Sequence, residues 1–339
     1  MTASARDKKR QSLEEVQGEA TMLTATSTSE LVLGGVFSVI GLMGNTFILT
    51  VNLMKRIKDL EINVRNIIIS SLAVTNICLQ CTMLTASVCH IYWEENVLLD
   101  EVLTVDVAVG DGLCCSSLWF ATWLGVYYCL KIVNCNHPCL IGLKVQFPKI
   151  VPWLLIGSVL VSLANGISGA FARHGNDTAK QASNNSENIT PVASGNGTMN
   201  DFVLVNGPST LLIIQLLISS VAFIIFSFAI VAIITSLLRH MRRMAQNTVS
   251  FQNPNLKAHV GALKTLVMLL ILYLTFYLSH VLVFVKPVAL ESFRLITFKL
   301  PTFAFPALCS LILILGNPTM KKTLVKIFYQ PNCCKREGA

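Results

Sequence analysis

The chain has 339 residues, of which 53% are hydrophobic and 13% are charged, and its formal net charge is +8. Soluble domains carry about 25% charged residues, so this composition argues against a soluble domain and favours a membrane protein. A positive charge can indicate nucleic-acid binding, but in a membrane protein it indicates basic flanks of membrane spans. We therefore expect no nucleic-acid partner.

Seven apolar segments are long enough to cross a bilayer, which takes about 20 helical residues. In chain order, the predicted spans are about 31–54, 66–92, 105–131, 150–172, 209–238, 263–285 and 295–317. The third span includes Asp106 and Asp111 in its first turns. The fifth begins near Ser209, because "VNGP" at Val205–Pro208 is a turn signal. The sequence thus predicts an all-α bundle over 31–317, between terminal segments 1–30 and 318–339.

Lysine and arginine are distributed unequally over the alternate connections. The set formed by residues 55–65, 131–149, 239–264 and the tail from Lys321 holds 17 of them. The opposite set holds 7, with Arg294 and Lys299 in addition near the outer end of the last span. Basic connections remain in the cytoplasm, so we expect the N-terminus outside and the C-terminus inside. Residues 1–30 lack the apolar core of a cleavable signal peptide and are predicted to form an extracellular segment.

Sequence motifs for N-glycosylation agree with this orientation. All four lie in the connection after span four, 173–201, at Asn176, Asn184, Asn188 and Asn196. That connection is rich in Asn, Ser and Gly and has little to bury, so the sequence predicts a flexible, glycosylatable extracellular loop. A low-complexity loop can also produce such motifs by chance, but the topology rests on the charges alone.

The eleven cysteines lie mostly in apolar runs, where a free cysteine behaves as a small hydrophobic residue. No cysteine pair is matched by a second pair or by histidines at zinc spacing. The sequence also shows no nucleophile–base arrangement and no phosphate-binding loop. We therefore predict neither an enzyme nor a metal or cofactor site.

The C-terminal segment contains a short amphipathic stretch, Thr319–Tyr329, with Lys321, Lys322 and Lys326. This pattern is typical of a helix that lies on the membrane surface. Cys333 and Cys334 follow it and are candidate palmitoylation sites, with unmodified thiols as the alternative.

Seven helices with this orientation and basic cytoplasmic connections are typical of a G-protein-coupled receptor. The usual rhodopsin-like motifs are mostly missing. No Asp/Glu-Arg-Tyr follows span three, Asn317–Pro318 is not followed by the expected tyrosine, and span six lacks Cys-Trp-x-Pro. Loop 173–201 holds no cysteine for a disulfide to span three.

The chain instead resembles the type 2 (bitter) taste receptors over residues 31–330. The stretches that carry the resemblance are "GLMGNTFI" (41–48), "SSLAVTN" (70–76), "LWFATWLGVYYCLKIVN" (118–134), "SLLRHMRRM" (236–244), "HVGALKTL" (259–266), "LYLTFYLS" (272–279) and "CSLILILGNPTMKK" (309–322). The family usually has arginine at Asn76, histidine at Cys309 and a very short N-terminus. The sequence is therefore identified as a divergent member.

The resemblance implies a plasma-membrane receptor that binds small bitter compounds in an outer-half cavity. It also implies activation of a heterotrimeric G protein of the gustducin or Gi class. The ligand contacts that it suggests are Trp119, Phe120, Trp123, Ser87, Tyr277 and Lys299. The coupling or switch residues that it suggests are Tyr128, Lys131, His240 and Lys264.

Each assignment has a structural alternative. Trp119 and Trp123 share a helical face and can equally form an interfacial aromatic belt. Lys299 would favour anionic ligands in a cavity, but near a helix end it can extend to the headgroups. The basic residues at the inner ends of spans three, five and six also attract anionic membrane lipids.

Three polar residues inside the predicted spans, Asn45, Asn76 and Ser310, are expected to brace the bundle interior, because amides in hydrocarbon need partners across helices. A vomeronasal type 1-like pheromone receptor remains an alternative within the receptor class. A transporter would need charged or broken midplane helices and has less support. Self-association is left open.

Overall fold

The computed structural model describes residues 31–57, 63–92, 97–133, 138–186, 199–246, 254–285 and 300–329. Within these ranges every residue is helical except Asn63, Val133 and Asn317. The helices are α1 (Leu31–Ile57), α2 (Val64–Tyr92), α3 (Val97–Ile132), α4 (Pro138–Ser186), α5 (Met199–Gln246), α6 (Pro254–Val285), α7 (Leu300–Gly316) and α8 (Pro318–Tyr329).

The predicted all-α membrane bundle is confirmed. Each of α1 to α6 is long and apolar enough to cross a bilayer. Helix α7 meets α8 at a 97° bend, and the pair satisfies the same criteria only when it is taken together, which brings the number of candidate spans to as many as seven. Each predicted span falls on one of the helices α1 to α7, although residues 295–299 of the last span lie outside the described residues. The N-terminal segment 1–30 also lies outside them.

The structure differs from the predicted loop 173–201, because α4 continues to Ser186 and α5 begins at Met199. Only residues 187–198 of that loop are outside the described ranges. Hydropathy marks where apolar character ends, and Ala179, Lys180 and Gln181 favour continuation of the helix beyond that point. Helix α5 also runs through "VNGP", since one proline removes only one backbone donor and the neighbouring residues keep their helical bonds.

Helix α3 lies at the centre of the bundle and contacts α2, α4, α5 and α6, while α7 packs against α2 and α6. The largest fully buried side chains include Phe226 of α5 and Phe305 of α7. Large apolar side chains such as Trp153 and Phe228 point outward and are exposed. An apolar surface of this extent suits a lipid environment.

Two glycines permit close helix contacts. A Cβ atom on Gly44 of α1 would collide with the Ser310 side chain of α7, and one on Gly166 of α4 would collide with the Ala108 carbonyl oxygen of α3. Small residues at such contacts let helix backbones approach closely in membranes. The "GLMGN" stretch of the sequence is therefore a packing surface of α1.

The junction of α7 and α8 explains the Asn-Pro pair near the end of the chain. The Asn317 side-chain oxygen accepts a hydrogen bond from the Thr319 backbone N–H at 3.1 Å, which makes Asn317 the N-cap of α8, with Pro318 at the first helical position. Met320 is buried, whereas Lys321 and Lys322 are exposed. The predicted amphipathic helix is thus present and anchored to the bundle.

Candidate functional site

The bundle contains a cavity between α3, α5 and α6 with a free volume of about 50 Å³. Its lining residues are Asp111, Cys114, Cys115, Leu118, Asn165, Gln215, Leu216, Ser219, Phe223, Tyr273, Phe276 and Tyr277. This volume holds one or two water molecules, whereas pockets for drug-sized ligands measure about 300–1,000 Å³. A ligand of that size would have to displace lining side chains.

One end of the cavity is polar. The Asp111 carboxylate accepts a hydrogen bond from the Gln215 amide nitrogen at 2.9 Å. The side-chain oxygens of Gln215 and Asn165 are buried, and neither has a hydrogen-bond partner among the described residues. Buried acceptors without partners carry a free-energy cost that a donor can relieve. This end therefore suits a hydrogen-bond donor or a cation.

The opposite wall of the cavity is aromatic. The rings of Phe223 and Tyr277 stack with centroids 6.2 Å apart and an interplanar angle of 11°. The Tyr277 hydroxyl lies 2.9 Å from the Ser220 hydroxyl, which links α6 to α5. Such a wall offers flat apolar contact area with a polar edge.

Tyr273 of α6 forms the floor of the cavity. Its hydroxyl donates to the Ser117 carbonyl oxygen at 2.7 Å and lies 2.9 Å from the Ser117 hydroxyl. Its ring packs edge-on against Phe226 of α5 and Phe305 of α7, with centroid distances of 6.3 and 4.9 Å. Tyr273 therefore contacts three other helices while it borders the cavity.

A chain of hydrogen bonds continues from this floor across the bundle. The Ser117 hydroxyl donates to the Asn76 side-chain oxygen at 3.1 Å, and the Asn76 amide donates to the Asn45 side-chain oxygen at 3.4 Å. The Asn45 amide donates in turn to the Pro306 carbonyl of α7 at 3.3 Å. We call Tyr273, Ser117, Asn76 and Asn45 the buried polar chain. It joins α6, α3, α2 and α1 and ends on α7.

Only two of the three residues of the predicted polar core are therefore joined by a hydrogen bond. Asn45 and Asn76 are hydrogen-bonded to each other, and Asn76 also lies close to the Cys309 side chain. Ser310 instead donates to the Ala307 carbonyl of its own helix at 2.8 Å. Its position is nevertheless specific, because its hydroxyl fills the space left by Gly44.

Trp119 and Trp123, two of the aromatic residues predicted to bind ligand, are not part of the cavity lining. Their rings stack with centroids 5.8 Å apart, and the Trp123 indole N–H donates to the Ser158 hydroxyl of α4 at 2.8 Å. Trp123 therefore lies on the α4 side. Trp119 follows the lining residue Cys115 by four positions and so lies at the edge of the cavity face of α3.

The other predicted ligand residues are divided. Tyr277 lines the cavity, whereas Phe120 lines a separate groove. The Ser87 hydroxyl donates to the Met83 carbonyl of its own helix at 2.8 Å. Lys299 lies outside the described residues.

The residues that were not singled out from the sequence include Asp111, Gln215 and Tyr273 of the cavity lining and Ser117, which is hydrogen-bonded to Tyr273. Asp111 and Gln215 carry a usable signal, since a polar side chain inside an apolar run normally faces the bundle interior. Ser117 and Tyr273 carry a weaker one, because hydroxyl groups are common in membrane helices and can bond to their own backbone.

The predicted coupling residues lie at the end of the bundle that is remote from the cavity, which we call the Lys131 end. Lys131 is exposed, and its ammonium lies 5.8 Å from the centre of the Tyr127 ring, within cation–π range. Tyr128 lies close to Arg65 of α2. Lys264 is exposed on α6, and His240 lies on α5.

The predicted modification sites are mostly outside the described part of the chain. Asn176 and Asn184 lie on the extension of α4, whereas Asn188, Asn196, Cys333 and Cys334 fall outside the described ranges. Among the described residues, no group of three or more His, Cys, Asp or Glu side chains could hold a metal ion.

Comparison with known proteins identifies close similarity over nearly the whole chain. The sequence profile described as "Taste receptor protein (TAS2R)" matches residues 22–332. Taste receptor type 2 member 119 of Rattus norvegicus is 29% identical over 296 residues, which are 87% of this chain and 83% of the relative. Member 41 of the same species is 31% identical over 264 residues, 77% of this chain and 82% of the relative.

Similarity extends to birds. Taste receptor type 2 member 40 of Gallus gallus is 28% identical over 306 residues, which cover 88% of this chain and 94% of the relative. The region that the profile matches includes all eight described helices.

Proposed function

The chain belongs to the type 2 taste receptor family, and from this premise we propose that it detects small bitter compounds in the cavity between α3, α5 and α6. In this proposal, binding activates a heterotrimeric G protein of the gustducin or Gi class at the Lys131 end. The receptor acts in the plasma membrane with its N-terminus outside, as the distribution of Lys and Arg favours.

The observation that carries this proposal is the double position of Tyr273, which borders the cavity and begins the buried polar chain. A ligand shifts an equilibrium only by binding its two states differently. A ligand that enlarges the cavity must move Tyr273 or its neighbours, so it changes the contacts that hold α6 against α3. The buried polar chain then transmits this change to α1, α2 and α7.

The chemistry of the cavity favours a particular ligand class. Asp111 and the unpartnered oxygens of Asn165 and Gln215 suit a protonated amine or another strong hydrogen-bond donor. The stacked rings of Phe223 and Tyr277 suit a flat apolar body. The preference for anionic ligands predicted from Lys299 points the other way, and the two expectations can be separated by experiment.

The decisive experiment is calcium imaging of cells that express the receptor with a promiscuous G protein. Matched amine, neutral and carboxylate bitter compounds would be compared on the wild type, Asp111→Asn and Lys299→Glu. We expect amine agonists to be the most potent on the wild type. Their potency should fall in Asp111→Asn and not in Lys299→Glu. A carboxylate preference abolished by Lys299→Glu would reverse the ligand class, and no response from a surface-expressed receptor would contradict the function.

The coupling proposal rests on the exposed basic residues Lys131 and Lys264. Tyr128 belongs to the same family-like stretch as Lys131 (118–134), and His240 belongs to the stretch 236–244. In membranes with purified Gi-class protein, Lys131→Ala and Lys264→Ala should lower agonist-stimulated nucleotide exchange without changing agonist binding. Lys149→Ala, a basic exposed residue of α4 at the same end, is the matched control. An equal loss in the control would indicate a general effect of surface charge.

The proposed orientation is tested by glycosylation. Enzymatic removal of N-glycans should increase the gel mobility of the wild type. A variant with Gln at Asn176, Asn184, Asn188 and Asn196 should not shift. A wild-type receptor that carries no glycan and exposes a tag at residue 190 only after permeabilisation would place this segment in the cytoplasm and overturn the orientation.

A further inference from the structure

A second and larger cleft lies on the outside of the bundle, away from the cavity described above. This groove has a volume of about 950 Å³ and runs between α1 and α2, with Phe120 of α3 and Val159 of α4 at its inner end. Leu53, Val74 and Val159 line it and are exposed. The groove therefore opens toward the surrounding lipid.

The mouth of the groove is basic and polar. Lys55 and Arg56 of α1 lie there, opposite Asn63 and Asn66 at the start of α2. This is the Lys131 end of the bundle, because Arg65 of the same α2 turn lies close to Tyr128 of α3. The mouth thus presents two cations and two amides at the depth where the spans leave the bilayer.

The remainder of the groove carries no charge and is largely apolar. The single inner amide on α1, Asn52, is already paired, since it donates to the Ser70 hydroxyl at 3.1 Å. Beyond this pair the walls consist of aliphatic side chains, the Phe120 ring and the hydroxyl residues Ser71 and Thr75. Recognition of a charged group is therefore confined to the mouth.

The length of the groove matches one leaflet of a bilayer. From Asn63 to Thr75 the lining follows twelve residues of α2, which is about 18 Å at 1.5 Å per residue. The hydrocarbon core of a bilayer is about 30 Å thick, so one leaflet contributes about half of that. An occupant with a charged head at the mouth and a tail along the groove would span a single leaflet.

The charges of the groove favour an anion. Helices α1 and α2 contain no Asp or Glu, and neither does α4 from Pro138 to Phe171. Helix α3 holds its carboxylates between Asp100 and Asp111 and none from Gly112 to Ile132, the stretch that includes Phe120. Among the described residues near the groove, Lys55 and Arg56 therefore meet no carboxylate, while Asp59 and Glu61 lie in the connection 58–62, outside the described residues. A guanidinium binds phosphate oxygens in pairs, and an ammonium adds a point charge, so together they suit a phosphate diester.

We propose that this groove holds one anionic phospholipid, with its phosphate at Lys55 and Arg56 and an acyl chain along Leu53, Val74 and Val159. The apolar inner part of the groove favours a lipid over a soluble anion. The two cations at the mouth favour an anionic lipid over a neutral sterol. In the orientation proposed above, the lipid belongs to the cytoplasmic leaflet, which is rich in anionic lipid. The site itself does not depend on the receptor's ligand or G protein.

The test is native mass spectrometry of the full-length receptor, purified with phosphatidylserine, phosphatidylcholine or a sterol. We expect one tightly retained phosphatidylserine per receptor. In Lys55→Gln/Arg56→Gln, its affinity should fall about 25-fold, a factor of about five for each basic residue. Lys321→Gln/Lys322→Gln, a matched pair of exposed lysines on α8, should keep it.

A second variant tests the apolar part independently of charge. Val74→Trp should fill the groove and displace the lipid, whereas Val231→Trp, at an exposed position of α5, should not. The proposal would be overturned if Lys55→Gln/Arg56→Gln and Val74→Trp both retained phosphatidylserine. It would also be overturned if the wild type retained phosphatidylcholine equally well or retained the sterol preferentially. Displacement by inorganic phosphate alone would indicate a surface anion site and would also overturn it.

Discussion

The Tyr273 hydroxyl donates to the Ser117 carbonyl oxygen at 2.7 Å, deep inside the bundle, and so fastens α6 to α3 at the floor of the cavity. Ser117 passes the connection on to Asn76 of α2. A tyrosine that borders a ligand cavity is thereby tied to the polar interior of three further helices. The mechanism we infer is that ligands act by loosening this attachment.

Replacing Tyr273 with Phe tests this mechanism. The substitution keeps the ring contacts with Phe226 and Phe305 but removes the hydrogen bond that stabilises the closed cavity. A typical hydrogen bond contributes about 1 kcal/mol, so basal signalling should rise about fivefold and EC50 values should fall for every agonist. The measurement is inositol phosphate accumulation at matched surface expression.

Tyr277→Phe is the control for this prediction, because its hydroxyl meets Ser220 and lies outside the buried polar chain. It should alter potency for particular ligands and leave basal signalling unchanged. Wild-type basal activity in Tyr273→Phe would contradict the proposed role of the floor contact.

Asp111→Asn should weaken amine agonists selectively. Asparagine keeps an oxygen that can accept from Gln215 but removes the charge, and hydrogen bonds to charged groups contribute about 1.5–3 kcal/mol. We expect EC50 values for amines to rise about 10- to 100-fold, with neutral agonists little affected. Asp106→Asn, on the same helix but outside the cavity lining, should have no such effect.

Gly166→Ala should destabilise the receptor through the contact between α3 and α4. Its added Cβ would collide with the Ala108 carbonyl oxygen, and overpacking costs about 1–3 kcal/mol. Gly157→Ala on the same helix meets nothing within 4 Å and should be neutral or slightly stabilising. Thermal denaturation of the two purified variants would show the difference, and equal melting temperatures would refute it.

Asn317→Ala should weaken α8. The substitution removes the N-cap that accepts from Thr319, at a cost of about 1 kcal/mol. Surface expression and melting temperature should both fall. Asn317→Asp keeps a capping oxygen and should restore most of the loss, so an aspartate variant as impaired as the alanine variant would argue against capping.

The sequence predicts the seven helices well because the bilayer demands an apolar run of fixed length for each span. It does not predict which face of each helix points inward. Lipid tails are as apolar as a helix interface, so hydropathy cannot distinguish Leu118, which lines the cavity, from Trp119, which does not. The extension of α4 to Ser186 was not predicted for a different reason, since hydropathy marks only the end of the apolar segment and helical structure there continues into polar sequence.

Among the site assignments, those with a polar side chain in an apolar run were the most informative. Asn45 and Asn76 meet in the buried polar chain because an amide in hydrocarbon needs a partner. Lys299 and the coupling residues Lys131, His240 and Lys264 stay predictions, because their roles depend on a ligand and a G protein.

The small volume of the cavity also has a consequence for the order of events in time. About 50 Å³ is far less than a drug-sized ligand occupies, so in the proposed function a bitter compound enters only after the side chains of α3, α5 and α6 have separated. The observed association rate should then rise with ligand concentration only until it equals the rate of spontaneous opening. A plateau in that rate would show that spontaneous opening of the receptor, rather than diffusion of the ligand, limits the rate of detection.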